Sequence, residues 1–512
     1  MEQKSIYPLS QLLKHLPTAR LLGSDSQPIS GVAYDSRKVQ PGDLFVAIRG
    51  THTDGHRYIA NALERGASAV AVDERYWDAS STATLKVPIV ILPNSLVALS
   101  PLAAAFYNYP GRELKVVGIT GTKGKTTTTS LTSRVLDSRY NTGMIGTLDF
   151  KIGARQWANK TRQSTPEALE IQQMLREMVQ AKCDYAVIEA TSHALSANWN
   201  RLGDCDFDVA VFTNVTHEHL DYHGSVEQYR RDKARLFEAL GQSSNREPWA
   251  IVNADDPYHQ LFYDAAPSHA RRFSFALKAQ ADLRAEAIEA TPSGTRAVLH
   301  SPWGSAPIAL RLPGIFNLVN SLAAISVGLS QGIELETCIA ALEAVEGVRG
   351  RMQPVDLGQP FAVIVDYAHN PDSFEQVMSM LRPLTKGRII ALFGSAGERD
   401  RAKRPMQGAI AARYCDYLVL SDEDPRAEDR YAILEEIAAG AEQEGKRQGS
   451  GYVCIADRRE AVQHALAYAQ PDDLVLLLGK GHESTIQYDG YDMEWNEAEE
   501  AEKALRALGY GK

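Results

Sequence analysis

Ten consecutive residues, Gly118-Ile119-Thr120-Gly121-Thr122-Lys123-Gly124-Lys125-Thr126-Thr127, have the make-up of a loop that wraps a phosphate. Glycines let backbone N–H groups approach phosphate oxygens closely. A lysine offsets the β/γ charge, and a threonine hydroxyl reaches Mg²⁺. The run follows a β-branched stretch and precedes a helical pattern, the context such a loop needs. The bland alternative is a Gly-rich strand-to-helix turn. Position 119 is Ile, and the first glycine stands one residue earlier than in G-x-x-x-x-G-K-T. The spacing therefore points to a nucleotide-binding loop, but not that of an ordinary GTPase or motor.

Two further constellations follow. Glu189-Ala190-Thr191-Ser192-His193 ends the β-branched run Tyr185-Ala186-Val187-Ile188. A carboxylate at the carboxyl end of a parallel strand, near a phosphate loop, is placed to hold a metal ion, although a lone strand-end Glu is more often solvated. His217-Glu218-His219-Leu220-Asp221-Tyr222-His223 comes after Thr213-Asn214. It is not H-E-x-x-H, because Asp221 stands where the second histidine belongs, so a zinc hydrolase is disfavoured. One magnesium ligand is expected among the three histidines, with the others satisfying loop hydrogen bonds. Lys233, in Tyr229 to Phe237, is by periodicity alone a solvated lysine.

The last third carries four polar loops, each after a strand-like run: Asp366-Tyr367-Ala368-His369-Asn370-Pro371, Gly394-Ser395-Ala396-Gly397-Glu398-Arg399-Asp400, Asp422-Glu423-Asp424-Pro425-Arg426 and Gly479-Lys480-Gly481-His482-Glu483. Each alone could be a turn. Together, on the carboxyl edge of one sheet, they make a binding rim. Arg399 and Arg426 beside Asp424 and Glu483 suit a zwitterion, since guanidinium grips carboxylate and carboxylates grip ammonium.

These loops need strands to carry them. Val116–Ile119, Tyr185–Ile188, Val209–Phe212 and Ala250–Val252 read as buried parallel strands, followed by Ala362–Val365, Arg388–Phe393, Tyr417–Leu420 and Leu474–Leu478. Helical stretches such as Ser130–Ser138 and Tyr229–Leu240 separate them. The pattern is α/β, occurring twice. With 512 residues the chain has room for about three domains. Boundaries are expected near 111, after Asn108-Tyr109-Pro110-Gly111, and near 346. Residues 1–110 form a small mixed α/β domain, 111–345 a central parallel-sheet P-loop domain, and 346–512 a Rossmann-like domain. The formal charge of -10 argues against a nonspecific nucleic-acid or anionic-membrane binder. No stretch approaches a membrane span, and Met1–Leu13 lacks a signal-peptide core. Cys183, Cys205, Cys338, Cys415 and Cys454 form no C-x-x-C, which fits a reducing cytoplasm without disulfides or a cysteine zinc site.

Taken together, the sequence resembles the Mur ligase family. The resemblance is carried by Gly121–Thr127, Glu189 with Ser192-His193, His219-Leu220-Asp221-Tyr222-His223, Lys233, Leu312-Pro313-Gly314 with Phe316-Asn317 and Asn320, Asp366–His369, and Gly479–Glu483. Asp35-Ser36-Arg37, Pro41–Ala47 and Asp54-Gly55 extend it to the N-terminus, so it spans the whole chain in order. It is strongest toward the members that add the third residue of the peptidoglycan stem peptide.

The resemblance implies ATP as co-substrate, two Mg²⁺ ions and a cytoplasmic monomer acting on small molecules. Gly121, Thr122, Lys123, Gly124, Lys125, Thr126, Thr127, Asn317, Arg351, Asp366 and His369 would contact ATP. Lys125 would be catalytic, with Glu189, His219 and a carbamylated Lys233. Thr126, Glu189, His219 and a carbamate on Lys233 would serve the metal ions. Ser36, Thr51, His52, Thr53, Gln163, Ser164, Thr165, Thr191 and Arg201 would hold a UDP-MurNAc-dipeptide. Arg399, Glu423, Asp424, Pro425, Arg426, Gly479 and Glu483 would hold the incoming amino acid. The implied reaction phosphorylates the D-Glu side-chain carboxylate of UDP-MurNAc-L-Ala-D-Glu, after which the amine of meso-diaminopimelate attacks the acyl phosphate.

The chain departs from the family pattern at four places. Glu423-Asp424-Pro425-Arg426 stands for Asp-Asn-Pro-Arg; Arg426 keeps the means to hold a distal carboxylate, whereas Asp424 would suit an ammonium, as in some lysine-adding members. Gln163-Ser164-Thr165-Pro166 stands for Asn-Thr-Thr-Pro, and Arg201 comes two residues later than usual. Ala396-Gly397-Glu398-Arg399-Asp400 stands for Gly-Gly-Asp-Arg-Asp. The alternatives are the same ligase adding L-lysine or another diamino acid, a folylpolyglutamate-synthase-like ligase, which would lack the Asp35-Ser36-Arg37 block, and an inactive binding protein on this scaffold.

Overall fold

The computed structural model describes residues 6–50, 53–77, 86–161, 163–216, 223–244 and 247–511. The chain forms two compact units, Met1–Leu283 with Leu322–Cys338, and Arg284–Ser321 with Ile339–Lys512.

The first unit holds two main sheets. The smaller runs in the order Arg20–Leu22, Ile89–Leu92, Ala69–Asp73, Asp43–Val46, Gly31–Ala33, parallel except at its first pair. Alternate residues of its inner strands feed two cores. Leu44, Val46, Ala69 and Ala71 pack with Leu99 and Leu102 of helix Ser95–Phe106, and Phe45, Val70 and Val72 with Ile59 and Ala62 of helix Ile59–Glu64.

The larger sheet runs Arg155–Ala158, Asp149–Ile152, Thr142–Ile145, Tyr185–Glu189, Lys115–Thr120, Phe207–Phe212, Trp249–Asn253, Arg271–Ala276. Its first two pairings are antiparallel and the remaining five parallel. Lys115–Thr120 thus lies between Tyr185–Glu189 and Phe207–Phe212, and their carboxyl ends meet at one edge, where α/β sheets bind ligands. Gly118, read from sequence as part of the phosphate loop, lies within the strand. A Cβ there would press to 2.5 Å from Leu236 Cδ1 and against the Phe207 ring. Its missing side chain lets helix Val226–Glu238, which bears Lys233, pack down on the sheet.

The second unit has a six-stranded sheet: Gln353–Pro354, Ala362–Asp366, Leu474–Leu478, Ile389–Phe393, Tyr417–Leu420, Tyr452–Cys454, parallel but for the first pair. The four polar loops therefore leave the carboxyl ends of four adjacent strands. Gly294–Ser301 and Gly304–Leu310 form part of an antiparallel meander with Leu283–Thr291. The five cysteines are free. Among the described residues no helix is long and apolar enough to cross a membrane.

Candidate active site

Strand Lys115–Thr120 delivers the loop Gly121–Gly124 to the start of helix Lys125–Asp137. Gly124 sits at φ +83° as the N-cap, a conformation that favours glycine. The loop is braced from the neighbouring strand end. Lys123 N–H donates to Asn214 Oδ1 at 2.9 Å, and Thr213 Oγ1 donates to the Lys123 carbonyl at 2.7 Å. Thr122 Oγ1 accepts from Thr216 N–H at 2.9 Å and lies 3.0 Å from Tyr229 OH. A side chain at Gly121 would strike Thr213 Oγ1.

Two lysines converge on one carbonyl. Lys125 Nζ donates to Gly121 O at 3.0 Å and to Thr122 O at 2.9 Å, and Lys233 Nζ donates to the same Gly121 O at 2.6 Å. Lys233 is 1% exposed and faces the Tyr229 ring at 4.5 Å. So it is not the solvated lysine that periodicity alone suggests.

Glu189 is buried at the end of its strand. Thr126 Oγ1 donates to its Oε1 at 3.0 Å, while Thr147 N–H and Oγ1 donate to Oε2 at 3.1 and 2.8 Å. One carboxylate and neighbouring hydroxyl oxygens beside the glycine-rich loop are hard donors. They fit Mg²⁺, which takes one or two carboxylates and completes its shell with phosphate oxygens and water. His219 lies outside the described residues, as do His217, Glu218, Asp221 and Tyr222. His223 is buried between Asp232 and Ser192.

Thr165, Thr191 and Arg201 come together beside Glu189. Thr165 Oγ1 donates to Glu189 O at 2.7 Å and lies 3.1 Å from Thr191 Oγ1; Arg201 Nη1 donates to Thr165 O at 3.2 Å. Arg201 also pairs with Glu167 at 2.5 Å, and its Nε is buried without a partner. Burial holds the Glu167 carboxyl above its usual range, although Arg201 opposes this. Ser164 is half-buried and Gln163 exposed. Ser36 opens a turn capped by Asp35, whose carboxylate accepts from Arg37 N–H. Thr53 is exposed; Thr51 and His52 lie outside the described residues.

In the second unit the rim loops interlock. Gly397 N–H donates to Asp424 O at 2.8 Å, and Arg426 Nη1 donates to Gly397 O at 3.2 Å. Lys480, fully buried, donates to Asp424 Oδ1 at 2.8 Å and to Glu483 Oε2 at 2.6 Å; Gln487 N–H also donates to Asp424 Oδ1, at 2.9 Å. The Asp424 carboxylate, read from sequence as suited to a ligand ammonium, is thus already engaged by one within the protein. Glu423 Oε2 is buried without a partner, and Gly479, at φ +100°, leaves it room: a Cβ there would stand 3.1 Å away. Pro425 is buried between these residues, whereas Arg399 is exposed.

Asp366 accepts from Met352 and Ala368 N–H groups, both at 2.8 Å, and burial raises its carboxyl above the usual range. Arg351 lies over the Tyr367 ring at 5.0 Å, with the rings of His369 and His482 at 4.6 and 4.7 Å. Burial, and then the cations Arg351, Arg349 and Lys480, push His482 down to about 3, so this imidazole is neutral at physiological pH. Asn317 is buried and donates to Pro313 O at 2.8 Å.

Three family models match in order: the Mur ligase family catalytic domain over 28–107, the Mur ligase middle domain over 119–328, and the Mur ligase glutamate ligase domain over 350–481. A UDP-N-acetylmuramyl-tripeptide synthetase of Roseiflexus sp. (strain RS-1) is 57% identical, with 98% of this chain and 99% of the relative covered. The chain belongs to the Mur ligase family. A UDP-N-acetylmuramoyl-L-alanyl-D-glutamate–2,6-diaminopimelate ligase of Syntrophomonas wolfei is 41% identical over 97% of this chain and 99% of its own length. A solved structure of a ligase with that same name superposes with TM-score 0.71 at 28% identity, covering 99% of this chain and 100% of that one.

This Mur ligase also uses residues that the sequence did not single out. Fully buried Arg458 donates to Asp422 O and Leu478 O, both at 2.7 Å, while Glu497 offsets its charge. It thereby pins the starts of two rim loops. Thr147 acts in the same way on Glu189, and Lys480, which the sequence marks only as part of a rim loop, does so on Asp424. No local pattern marks Arg458 or Thr147, because each meets its partner only across the fold.

Proposed function

We propose that this Mur ligase joins meso-diaminopimelate to UDP-MurNAc-L-Ala-D-Glu, using ATP and forming an acyl phosphate on the D-Glu side chain. The loop Gly121–Thr127 binds the ATP phosphates, and Lys125 meets the charge that gathers on the transferring phosphoryl group. Thr126 and Glu189, with His219 and a carbamate on Lys233, hold two Mg²⁺ ions, which when bound polarise phosphoryl oxygens. Asn317, Arg351, Asp366 and His369 complete the ATP contacts. Thr165, Thr191 and Arg201 orient the muramoyl-dipeptide, and the N-terminal sheet with Ser36 takes its UDP end. The domain boundaries near 111 and 346 belong to this reading. So does a cytoplasmic monomer; the five free thiols suit a reducing compartment.

The observation that carries the choice of amino acid is the pairing of Asp424 with Lys480. With that carboxylate engaged internally, Arg426 remains as the distinctive group of its loop and calls for a carboxylate. Lysine has no distal carboxylate to offer. A guanidinium left without its partner costs about 1–3 kcal/mol, or roughly tenfold to a hundredfold in kcat/KM.

Phosphate release measured with the UDP-MurNAc-dipeptide, ATP and a panel of amino acids tests this. The expected order puts diaminopimelate above lysine by at least about tenfold. Arg426→Ala should erase most of that preference while changing the KM for ATP little. Lysine used as well as diaminopimelate would overturn the amino-acid assignment and leave the ligase standing.

A further inference from the structure

Ser192 opens the short helix Ser192–Leu195, three residues beyond Glu189. Its Oγ lies 3.0 Å from His223 Nε2, and His223 Nδ1 lies 2.7 Å from Asp232 Oδ2. Asp232 immediately precedes Lys233 on helix Val226–Glu238, and Gln228 Nε2 donates to its other oxygen at 3.0 Å. All three residues are buried, the His223 side chain completely. The His193 and Tyr229 rings pack on it at 5.2 and 5.1 Å.

The order Ser–His–Asp matches a hydrolase triad, but Ser192 is only 3% exposed, which bars attack on a substrate carbonyl. The arrangement instead makes a bridge: one ring nitrogen of His223 meets the Asp232 carboxylate and the other meets the Ser192 hydroxyl, so the imidazole links the two segments.

We propose that Ser192, His223 and Asp232 are positioning residues that fasten the Glu189–Ser192 turn to the helix bearing Lys233. This rests on the ligase reading for the roles of Glu189 and Lys233. One end of the relay lies three residues from Glu189 and the other is adjacent to Lys233, so the relay sets the spacing of two groups that must serve one phosphoryl transfer. Thr191, between Glu189 and Ser192, caps the same helix through Ala194 N–H and meets Thr165, so the relay also holds the dipeptide side in register. Misplacing reacting groups by about 1 Å can cost roughly a hundredfold in rate.

Ser192→Ala and Asp232→Ala, singly and together, test the relay by turnover and by amide hydrogen exchange on the nucleotide-free protein. Each single variant should lose about tenfold to a hundredfold in kcat, and the double variant should lose no more than the worse single one. Ser192→Ala should speed exchange across 225–235, and Asp232→Ala across 189–195, each acting on the far segment. His223→Asn, which keeps a donor toward Asp232 and drops the link to Ser192, should behave like Ser192→Ala. Losses that multiply, or wild-type exchange in 225–235 for Ser192→Ala, would overturn the relay. Ser192→Ala removes one hydroxyl only, so its exchange result stands even if Asp232→Ala fails to fold. A wild-type enzyme without amino-acid-dependent phosphate release would overturn the ligase reading, yet would leave the exchange coupling in place.

Discussion

Lys125→Ala should lose about a hundredfold to a thousandfold or more in kcat at saturating ATP, while its thermal unfolding stays close to wild type. Lys125 is partly exposed, and its ammonium donates to the carbonyls of its own loop, Gly121 and Thr122. Those bonds leave the cation where phosphate oxygens can take them over. Its charge matters most when negative charge gathers on the transferring phosphoryl group, so the loss falls on turnover rather than on folding. Steady-state phosphate release and a melting curve on the same preparation check both halves. Turnover near wild type would remove the basis for assigning this loop to ATP.

Lys233→Ala should be nearly inactive, and a short-chain carboxylic acid in excess should restore part of the activity. The geometry supplies the reason. Lys125 and Lys233 donate to the same Gly121 oxygen at 3.0 and 2.6 Å, and Lys233 is buried. Two ammonium groups this close repel each other strongly once shielded from water. If the Lys233 amine loses its proton and bonds to CO₂, it becomes an anionic carbamate and releases a further proton. Repulsion then turns to attraction, and a metal ligand is made. In the alanine variant the added acid would fill the vacated space and return the negative charge. Phosphate release titrated with acetate measures the rescue. Full activity in the variant, with no response to acid, would contradict the carbamate.

Much of the scaffold was legible because parallel strands announce themselves. Val116–Ile119 and Leu474–Leu478 are unbroken apolar runs, and a strand buried on both faces needs that pattern. Strand ends then placed Glu189 and the four rim loops at sheet edges before any contact was known. Leu283–Thr291 was not legible. Its sequence, LRAEAIEAT, is rich in Ala and Glu, residues of high helix propensity, and pairing with Gly294–Ser301 overrides that preference. Asp149–Ile152 and Arg155–Ala158 are short and half-exposed, so they lack a continuous apolar signature. At the site, the chemistry-bearing residues could be read but their partners could not. Asp424 meets Lys480 across 56 positions, and Arg458 meets Glu497 across 39. The fate of the Asp424 charge was therefore open until the fold closed the pair. Lys233 gave the same lesson in reverse: a lysine that reads as an ordinary helical one becomes buried because Gly118 admits its helix to the sheet.

Tracing an oxygen atom shows whether the amide forms through an acyl phosphate. The D-Glu side-chain carboxylate of UDP-MurNAc-L-Ala-D-Glu is labelled with heavy oxygen and incubated with enzyme, ATP and meso-diaminopimelate, and the released phosphate is weighed by mass spectrometry. An acyl phosphate keeps a carboxylate oxygen in the bond to phosphorus, and attack by the amine breaks the carbon–oxygen bond. Each phosphate released should carry one labelled oxygen, in step with formation of the amide. Amide formed alongside unlabelled phosphate would contradict the acyl phosphate.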